Sequence, residues 1–234
     1  MNDPVNRPAS GFFVTGTDTG VGKTVLAGLL TCHLRDAGVA VAALKPVCSG
    51  TRDDARLLRA ASGNALSLDE VNPWHFRAPL APLVAARRQK RTLRLEEVRA
   101  HVRRMRARFE AVVVEGAGGL LSPLGDSFDS RDLIIASGAM PIVVCPNRLG
   151  AINQCLLAQA ALPSAIARHA QVVLMSPARP GPASRSNRAF LAAELGARRT
   201  HVVPWLKCPE HPARALADRR THTAIRVLVK SIGL

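Results

Sequence analysis

The run Phe12-Phe13-Val14-Thr15 passes directly into Gly16-Thr17-Asp18-Thr19-Gly20-Val21-Gly22-Lys23-Thr24. The apolar helical pattern Val25-Leu26-Ala27-Gly28-Leu29-Leu30 follows at once. A strand, a glycine-rich turn and a helix opening are what a phosphate-binding loop needs. The glycines let backbone N–H groups converge on an anion, and the helix N-terminus adds positive potential. Lys23 is placed to neutralise β- and γ-phosphate oxygens, and the Thr24 hydroxyl to ligate Mg²⁺. The interval from Gly16 to Gly22 is one residue longer than in the common G-x₄-G-K-[ST] loop, which marks a subclass.

The rest of the chain repeats the strand–helix alternation. Strand-like runs fall at Gly11–Thr15, Val39–Leu44, Ala111–Glu115, Pro141–Cys145, Gln171–Met175 and His201–Val203. Helical patterns begin near Gly22, Arg52, Leu95, Ser130, Ala151, Ser186 and Thr221. Runs rich in β-branched residues, bounded by Gly and Pro, predict an α/β fold: a doubly wound, mostly parallel sheet covered on both faces. Val71–Leu83, with Asn72, Pro73, Pro79 and Pro82, reads as an ordered loop, and Ser176–Ser186, with Pro177, Pro180, Gly181 and Pro182, as a second. Strands continue on either side of both, so neither is a domain linker. The expectation is a flexible N-terminus over residues 1–10 and one domain over residues 11–234.

Composition narrows the function classes. Aromatics are 3% of 234 residues with no Tyr, so the core must be aliphatic, which suits α/β layers better than a β-sandwich. The formal net charge is +15, and Arg87–Arg108 supplies +8 of it, from ten basic residues (Arg87, Arg88, Lys90, Arg91, Arg94, Arg99, Arg103, Arg104, Arg106, Arg108) less Glu96 and Glu97. Leu95, Val98, Val102, Met105 and Phe109 form an apolar stripe at helical spacing, with the arginines on the other face. Without interleaved aromatics or a nucleic-acid motif, this reads first as a solvated helix face, and only second as a polyanion-binding surface. Cys32, Cys48, Cys145, Cys155 and Cys208 are an odd, scattered set without C-x-x-C, as in a reduced cytoplasmic protein. No apolar run reaches membrane-spanning length, and no targeting pattern opens the chain.

Three further segments carry candidate chemistry. Leu44-Lys45-Pro46-Val47-Cys48-Ser49-Gly50 ends the second strand. Lys45 and Ser49 therefore fall at the carboxyl edge of the sheet, where ligands of parallel sheets bind. Ala111-Val112-Val113-Val114-Glu115-Gly116-Ala117-Gly118-Gly119 is a buried strand ending in a carboxylate before a glycine-rich turn. Oxygens from Thr24, Asp54 and Glu115, completed by water and phosphate, suit Mg²⁺; Asp54 also fits a plain helix N-terminal charge. Asn147-Arg148-Leu149-Gly150-Ala151-Ile152-Asn153 follows the fourth strand, and free N–H groups at its helix start could hold a carboxylate.

Taken in order, GTDTGVGKT, KPVCSG, VEGAGGLLSPLGD, NRLGAIN and VVPWL closely resemble the dethiobiotin synthetase family, from about Phe12 to Glu210. The resemblance implies a P-loop NTPase-type fold, a homodimer and a cyclo-ligase of biotin biosynthesis. That ligase converts 7,8-diaminopelargonic acid, CO₂ and ATP to dethiobiotin, ADP and phosphate. It implies that Gly20, Val21, Gly22, Lys23, Thr24 and Val25 wrap the ATP phosphates, and that Thr24, Asp54 and Glu115 hold Mg²⁺. Lys45 would be a catalytic lysine beside Lys23, with Thr19 and Ser49 contacting the diamine or its carbamate. Glu115, Gly116, Ala117 and Gly118 would approach the nucleotide. Ser176, Pro177, Pro204, Trp205, Leu206 and Glu210 resemble the adenosine-binding segments. Gly150, Ala151, Ile152 and Asn153 resemble the helix start that receives the substrate carboxylate across the dimer interface.

The sequence departs from the family at three places. Ser176-Pro177 stands where the family has Asn-Asp, the loop between Gly50 and Asp54 is shorter, and Phe190 stands where an aromatic hydroxyl would help hold the carboxylate. Two rival readings share some of these features. One is a partitioning or metal-insertion P-loop ATPase, which would carry an extra Lys early in the loop, where Gly16 and Thr17 stand here. The other is a basic nucleic-acid-binding protein acting through Arg87–Arg108.

Overall fold

The computed structural model describes residues 10–233. Its strands are β1 (Ser10–Gly16), β2 (Val41–Leu44), β3 (Val47–Ser49), β4 (Trp74–Phe76), β5 (Ala111–Glu115), β6 (Pro123–Gly125), β7 (Phe128–Asp129), β8 (Met140–Pro146), β9 (Gln171–Met175) and β10 (Thr200–Val203). Its helices are α1 (Lys23–Asp36), α2 (Asp53–Ala61), α3 (Leu68–Val71), α4 (Pro82–Arg88), α5 (Leu95–Arg106), α6 (Ser130–Ser137), α7 (Ala151–Ala161), α8 (Ser164–Ala167), α9 (Pro182–Leu195), α10 (Pro212–Leu216) and α11 (Arg219–Ser231).

Six strands form one sheet in the order β10-β9-β8-β1-β5-β2, and every pairing in it is parallel. The strands are the six runs expected from sequence, because Val, Ile and Ala buried on both faces satisfy a sheet covered by helices on each side. The chain leaves β1 for the β2 edge, returns through β5 and then builds outward through β8. The strand order therefore reverses beside β1, and the loop after β1 opens at that switch point, where ligands of such sheets bind. Helices α1, α2, α10 and α11 pack together on one face; on the other, α5 packs on α6 and α7 on α9. Gly28, inside α1, is needed for this layer. A Cβ there would lie 2.7 Å from Pro212 and 2.8 Å from Leu57, so close packing outweighs the ~1 kcal/mol that a mid-helix glycine costs.

Several local expectations need correction. Of the segment expected to be a flexible N-terminus, residues 1–9 lie outside the described residues, while Ser10 already opens β1. The second strand starts at Val41 rather than Val39, and the last helix at Arg219 rather than Thr221. The region read as loop Val71–Leu83 contains β4 and the start of α4. Three-residue strands carry too little periodicity to be seen, and β4 exists only because β3 pairs with it. Helix α9 begins at Pro182, not Ser186; the residues read as turn punctuation include a proline at the first helical position, where its missing N–H costs nothing. The basic helix has its apolar stripe inward, with Val98, Val102 and Met105 buried. Phe109 lies beyond its end. No helix among the described residues is long and apolar enough to cross a membrane.

Candidate functional site

Gly22 caps α1 with φ 100° and Gly20 takes φ 74°. Both are left-handed conformations that side chains resist. They turn the chain from β1 directly into α1, whose first N–H groups have no partner within the helix. Lys23 folds back over this turn, its Nζ donating to the Asp18 carbonyl at 2.7 Å. Burial pushes the Lys23 ammonium down to about 8, and neighbouring Lys45 adds to that, while Glu115, Asp54 and Asp18 hold it up in part.

Beside the loop lies a compact charged cluster. Lys45 follows β2 and Glu115 ends β5, and because β2 and β5 are paired the two side chains abut. Lys45 Nζ donates to Glu115 Oε1 at 2.5 Å and to the Gly116 carbonyl at 3.1 Å, and sits 3.0 Å from Asp54 Oδ2. The Thr24 hydroxyl donates to the same Glu115 Oε1 at 2.8 Å. Glu115 is 1% exposed and Lys45 4%. Burial alone would push Lys45 down, but Glu115 and Asp54 outweigh it and keep the ammonium above the usual lysine range. Burial pulls Asp54 the other way, and Lys45 reverses it, holding that carboxyl below its ordinary value. At Glu115 burial dominates and raises the carboxyl despite Lys45.

Glu115 Oε2 is buried with no hydrogen-bond partner. An orphaned carboxylate oxygen inside a protein is costly. Here it lies beside Thr24 and Asp54, a set of hard oxygens of the kind Mg²⁺ takes. Among the described residues, no group of three or more His, Cys, Asp or Glu is arranged to hold a metal. A cation here would therefore also need phosphate and water oxygens, which Mg²⁺ habitually keeps.

These groups open onto a cavity of about 840 Å³. Of the residues singled out from sequence, Thr19, Gly20, Gly22, Lys23, Thr24 and Val25 line it from the loop and α1. Lys45, Ser49, Glu115, Ala117 and Gly118 line it from the carboxyl ends of β2, β3 and β5, Asp54 from the first turn of α2, and Glu210 from the far wall. Val21 is buried in the core instead, and Gly116 contributes only its carbonyl. The Ser49 hydroxyl donates to the Leu80 carbonyl. Sequence reasoning missed Leu57, Pro79–Pro82, Ser122 and Pro209 as cavity walls. The prolines at 79 and 82 were the available signal, read there as loop punctuation.

The other candidates lie elsewhere. Gly150 caps α7 with φ 89°; Ala151 is buried, Ile152 half-buried and Asn153 exposed, and none lines the cavity. Ser176 donates its backbone N–H to the Val203 carbonyl at 2.9 Å, and with Pro204 it borders a second cavity. Pro177 is half-buried, Trp205 is 57% exposed and Leu206 is buried. These residues do gather at the carboxyl ends of β9 and β10, the same edge of the sheet as the loop.

Comparison with known proteins agrees with this geometry. The family described as an AAA domain matches residues 10–212. The ATP-dependent dethiobiotin synthetase BioD of Anaeromyxobacter dehalogenans (strain 2CP-C) is 42% identical over 217 residues, 89% of this chain and 96% of that protein. That of Bacillus licheniformis is 38% identical over 203 residues, 84% of this chain and 86% of the relative. Among solved structures, the MinD cell division protein of Aquifex aeolicus covers 97% of this chain and 98% of its own at a TM-score of 0.60 and 14% identity. A ParA family ATPase from Chlorobium tepidum TLS covers 97% of this chain and 100% of its own at a TM-score of 0.58 and 11% identity. These two share the fold of a P-loop ATPase, and at such identity they show the fold alone. With near-complete coverage by sequence relatives and the expected loop, strand ends and charged cluster in one cavity, the chain belongs to the dethiobiotin synthetase family.

Proposed function

We propose that the protein is an ATP-dependent ligase that carboxylates 7,8-diaminopelargonic acid and closes its ureido ring, giving dethiobiotin, ADP and phosphate. The observation that carries this reading is the buried Lys45–Glu115–Asp54 cluster set against the phosphate-binding loop in one cavity. The volume, about 840 Å³, falls within the range of small-molecule sites.

The reaction starts when one substrate amine adds CO₂, forming a C–N bond and losing a proton to give a carbamate. A carbamate oxygen then attacks the γ-phosphorus, and ADP leaves. The second amine attacks the carbonyl of the resulting carbamic–phosphoric anhydride, phosphate departs, and the ring closes. Gly20–Val25 supply N–H groups for the triphosphate, and Lys23 and Lys45 bring positive charge to the transferring phosphoryl. Contacts of this kind are worth roughly 10²–10³ in rate each. Thr19 and Ser49 are placed to orient the diamine, which makes ring closure intramolecular and gains from orientation. Thr24, Asp54 and Glu115 would hold Mg²⁺, which neutralises charge on the phosphates when bound. Ser176, Pro177, Pro204, Trp205, Leu206 and Glu210 would contact the nucleoside.

Gly150–Asn153 of a second copy would receive the substrate carboxylate, so the working form is a homodimer. Leu149, 84% exposed just before that turn, supports a contact there. All five cysteines are free, as suits a cytoplasmic enzyme. Incubating the purified protein with the diamine, bicarbonate and Mg-ATP and weighing the product by mass spectrometry tests the reading. Dethiobiotin formed in step with ADP supports it. ATP hydrolysis that is indifferent to the diamine would point instead to a switch ATPase.

A further inference from the structure

A second cavity, of about 680 Å³, runs along the free edge of the main sheet. Its floor is Thr200, His201 and Val202 of β10, which among the described residues pairs with β9 alone. Helices α9 and α11 both pack against β10 and form the walls. Three arginines face into this groove: Arg188 from α9, and Arg219 and Arg220 from the first turn of α11. No Asp or Glu is among its lining residues. None of the three guanidinium groups has an ion pair or hydrogen bond among the described residues, whereas Arg35, Arg52, Arg56 and Arg108 each find a carboxylate. Asp218, immediately before Arg219, attracts Arg220 at longer range but forms no ion pair with any of the three. Its Oδ1 accepts from the backbone N–H groups of Arg220 and Thr221 at 3.0 and 2.9 Å, capping α11.

Three like charges around one concavity repel each other, and walls of low dielectric concentrate their field on whatever enters. The planar fork of a guanidinium matches the oxygens of a phosphoryl group, and forks approaching from two walls suit more than one such group. Ser176 and Thr223 also border the space. The cavity shares no lining residue with the phosphate-loop cavity.

We propose that this groove is a second anion site, taking a small molecule that carries at least two phosphoryl groups, with Arg188, Arg219 and Arg220 as its ligands. It is independent of the reaction proposed above, although Ser176 and Pro204 at its upper end are residues the family resemblance assigns to the nucleoside.

Inorganic pyrophosphate is the probe, titrated calorimetrically into the full-length protein with and without saturating β,γ-methylene-ATP. The expected result is binding that persists when the phosphate loop is filled, and that weakens at least tenfold in Arg188→Ala/Arg219→Ala/Arg220→Ala. The control Arg99→Ala/Arg103→Ala, on the other basic face, should bind as the native protein does. The triple variant keeps the phosphate loop, so unchanged analogue affinity shows that it is folded. Binding abolished by the analogue would assign the groove to the nucleotide site and overturn the proposal. Binding that survives the triple substitution, or falls equally in the control, would also overturn it.

Discussion

Replacing Lys45 by Met tests the reading of the charged cluster most sharply. The side chain is about the right length but uncharged, so Glu115, 1% exposed, loses the ion partner at 2.5 Å that compensates its burial. Asp54 is released too, but its side chain is half exposed and water can solvate it. Removing one member of a buried ion pair costs ~3–5 kcal/mol, because a charge stays behind without compensation. That is a large part of the ~5–15 kcal/mol that holds a typical domain folded. The double variant Lys45→Met/Glu115→Gln leaves no charge stranded and should be about 2 kcal/mol more stable than Lys45→Met alone.

The pH dependence has a definite sign. Burial already raises Glu115 above its ordinary value, and loss of Lys45 raises it further. Between the unfolded and folded values the native state binds more protons than the unfolded chain, so stability falls as pH rises through that window. The deficit of the single variant should therefore shrink on going from about pH 8 to about pH 5, and the double variant should show little such trend. Urea unfolding followed by far-UV circular dichroism reads both quantities. Equal stability of the single and double variants, with no pH trend, would refute the argument that Glu115 depends on Lys45 for its charge.

Other outcomes follow from the same geometry. Asp54→Asn and Glu115→Gln should each leave the fold intact while lowering Mg-ATP turnover by about 10²-fold and raising the Mg²⁺ needed for half-maximal rate; full activity with both replaced would remove the metal assignment. Leu149→Asp should shift sedimentation from dimer to monomer and abolish product formation together; an active monomer would show that Gly150–Asn153 of a neighbour is not required. Ser176 stands where the family has an Asn, and a hydroxyl that can donate or accept discriminates bases less than an amide. GTP or CTP should therefore serve within about tenfold of ATP, one discriminating contact being worth about 1–3 kcal/mol. Measured kcat/KM for four nucleoside triphosphates in the native protein and in Ser176→Asn checks this, and a strong ATP preference unaltered by the substitution would contradict it.

The chain's local grammar was legible before its shape. The six strands of the sheet are apolar runs bounded by Gly and Pro, and the turn from β1 into α1 is written in glycines whose left-handed φ values no other residue takes easily. Lys45, Asp54 and Glu115 could each be marked as a residue at the end of a strand or start of a helix, because parallel sheets gather ligands at that edge. Short elements were not legible. β4 forms only through its pairing with β3, whose Val47 partners Trp74, 27 residues on in sequence, and α9 opens on a proline that also punctuates turns.

Side-chain partnership was decided by the tertiary structure alone. Sequence spacing cannot say that Lys45 bridges Glu115 and Asp54, since that follows from β2 lying directly beside β5 while α2 brings its first turn over the same strand end. Nor can it say that Glu115 Oε2 is left without a partner, or that arginines from α9 and α11 converge along β10. Local sequence specifies backbone conformation and which faces must be buried, within a few residues of each position. Charge pairing and cavity shape depend on residues tens of positions apart, and those distances are set only when the sheet order is complete.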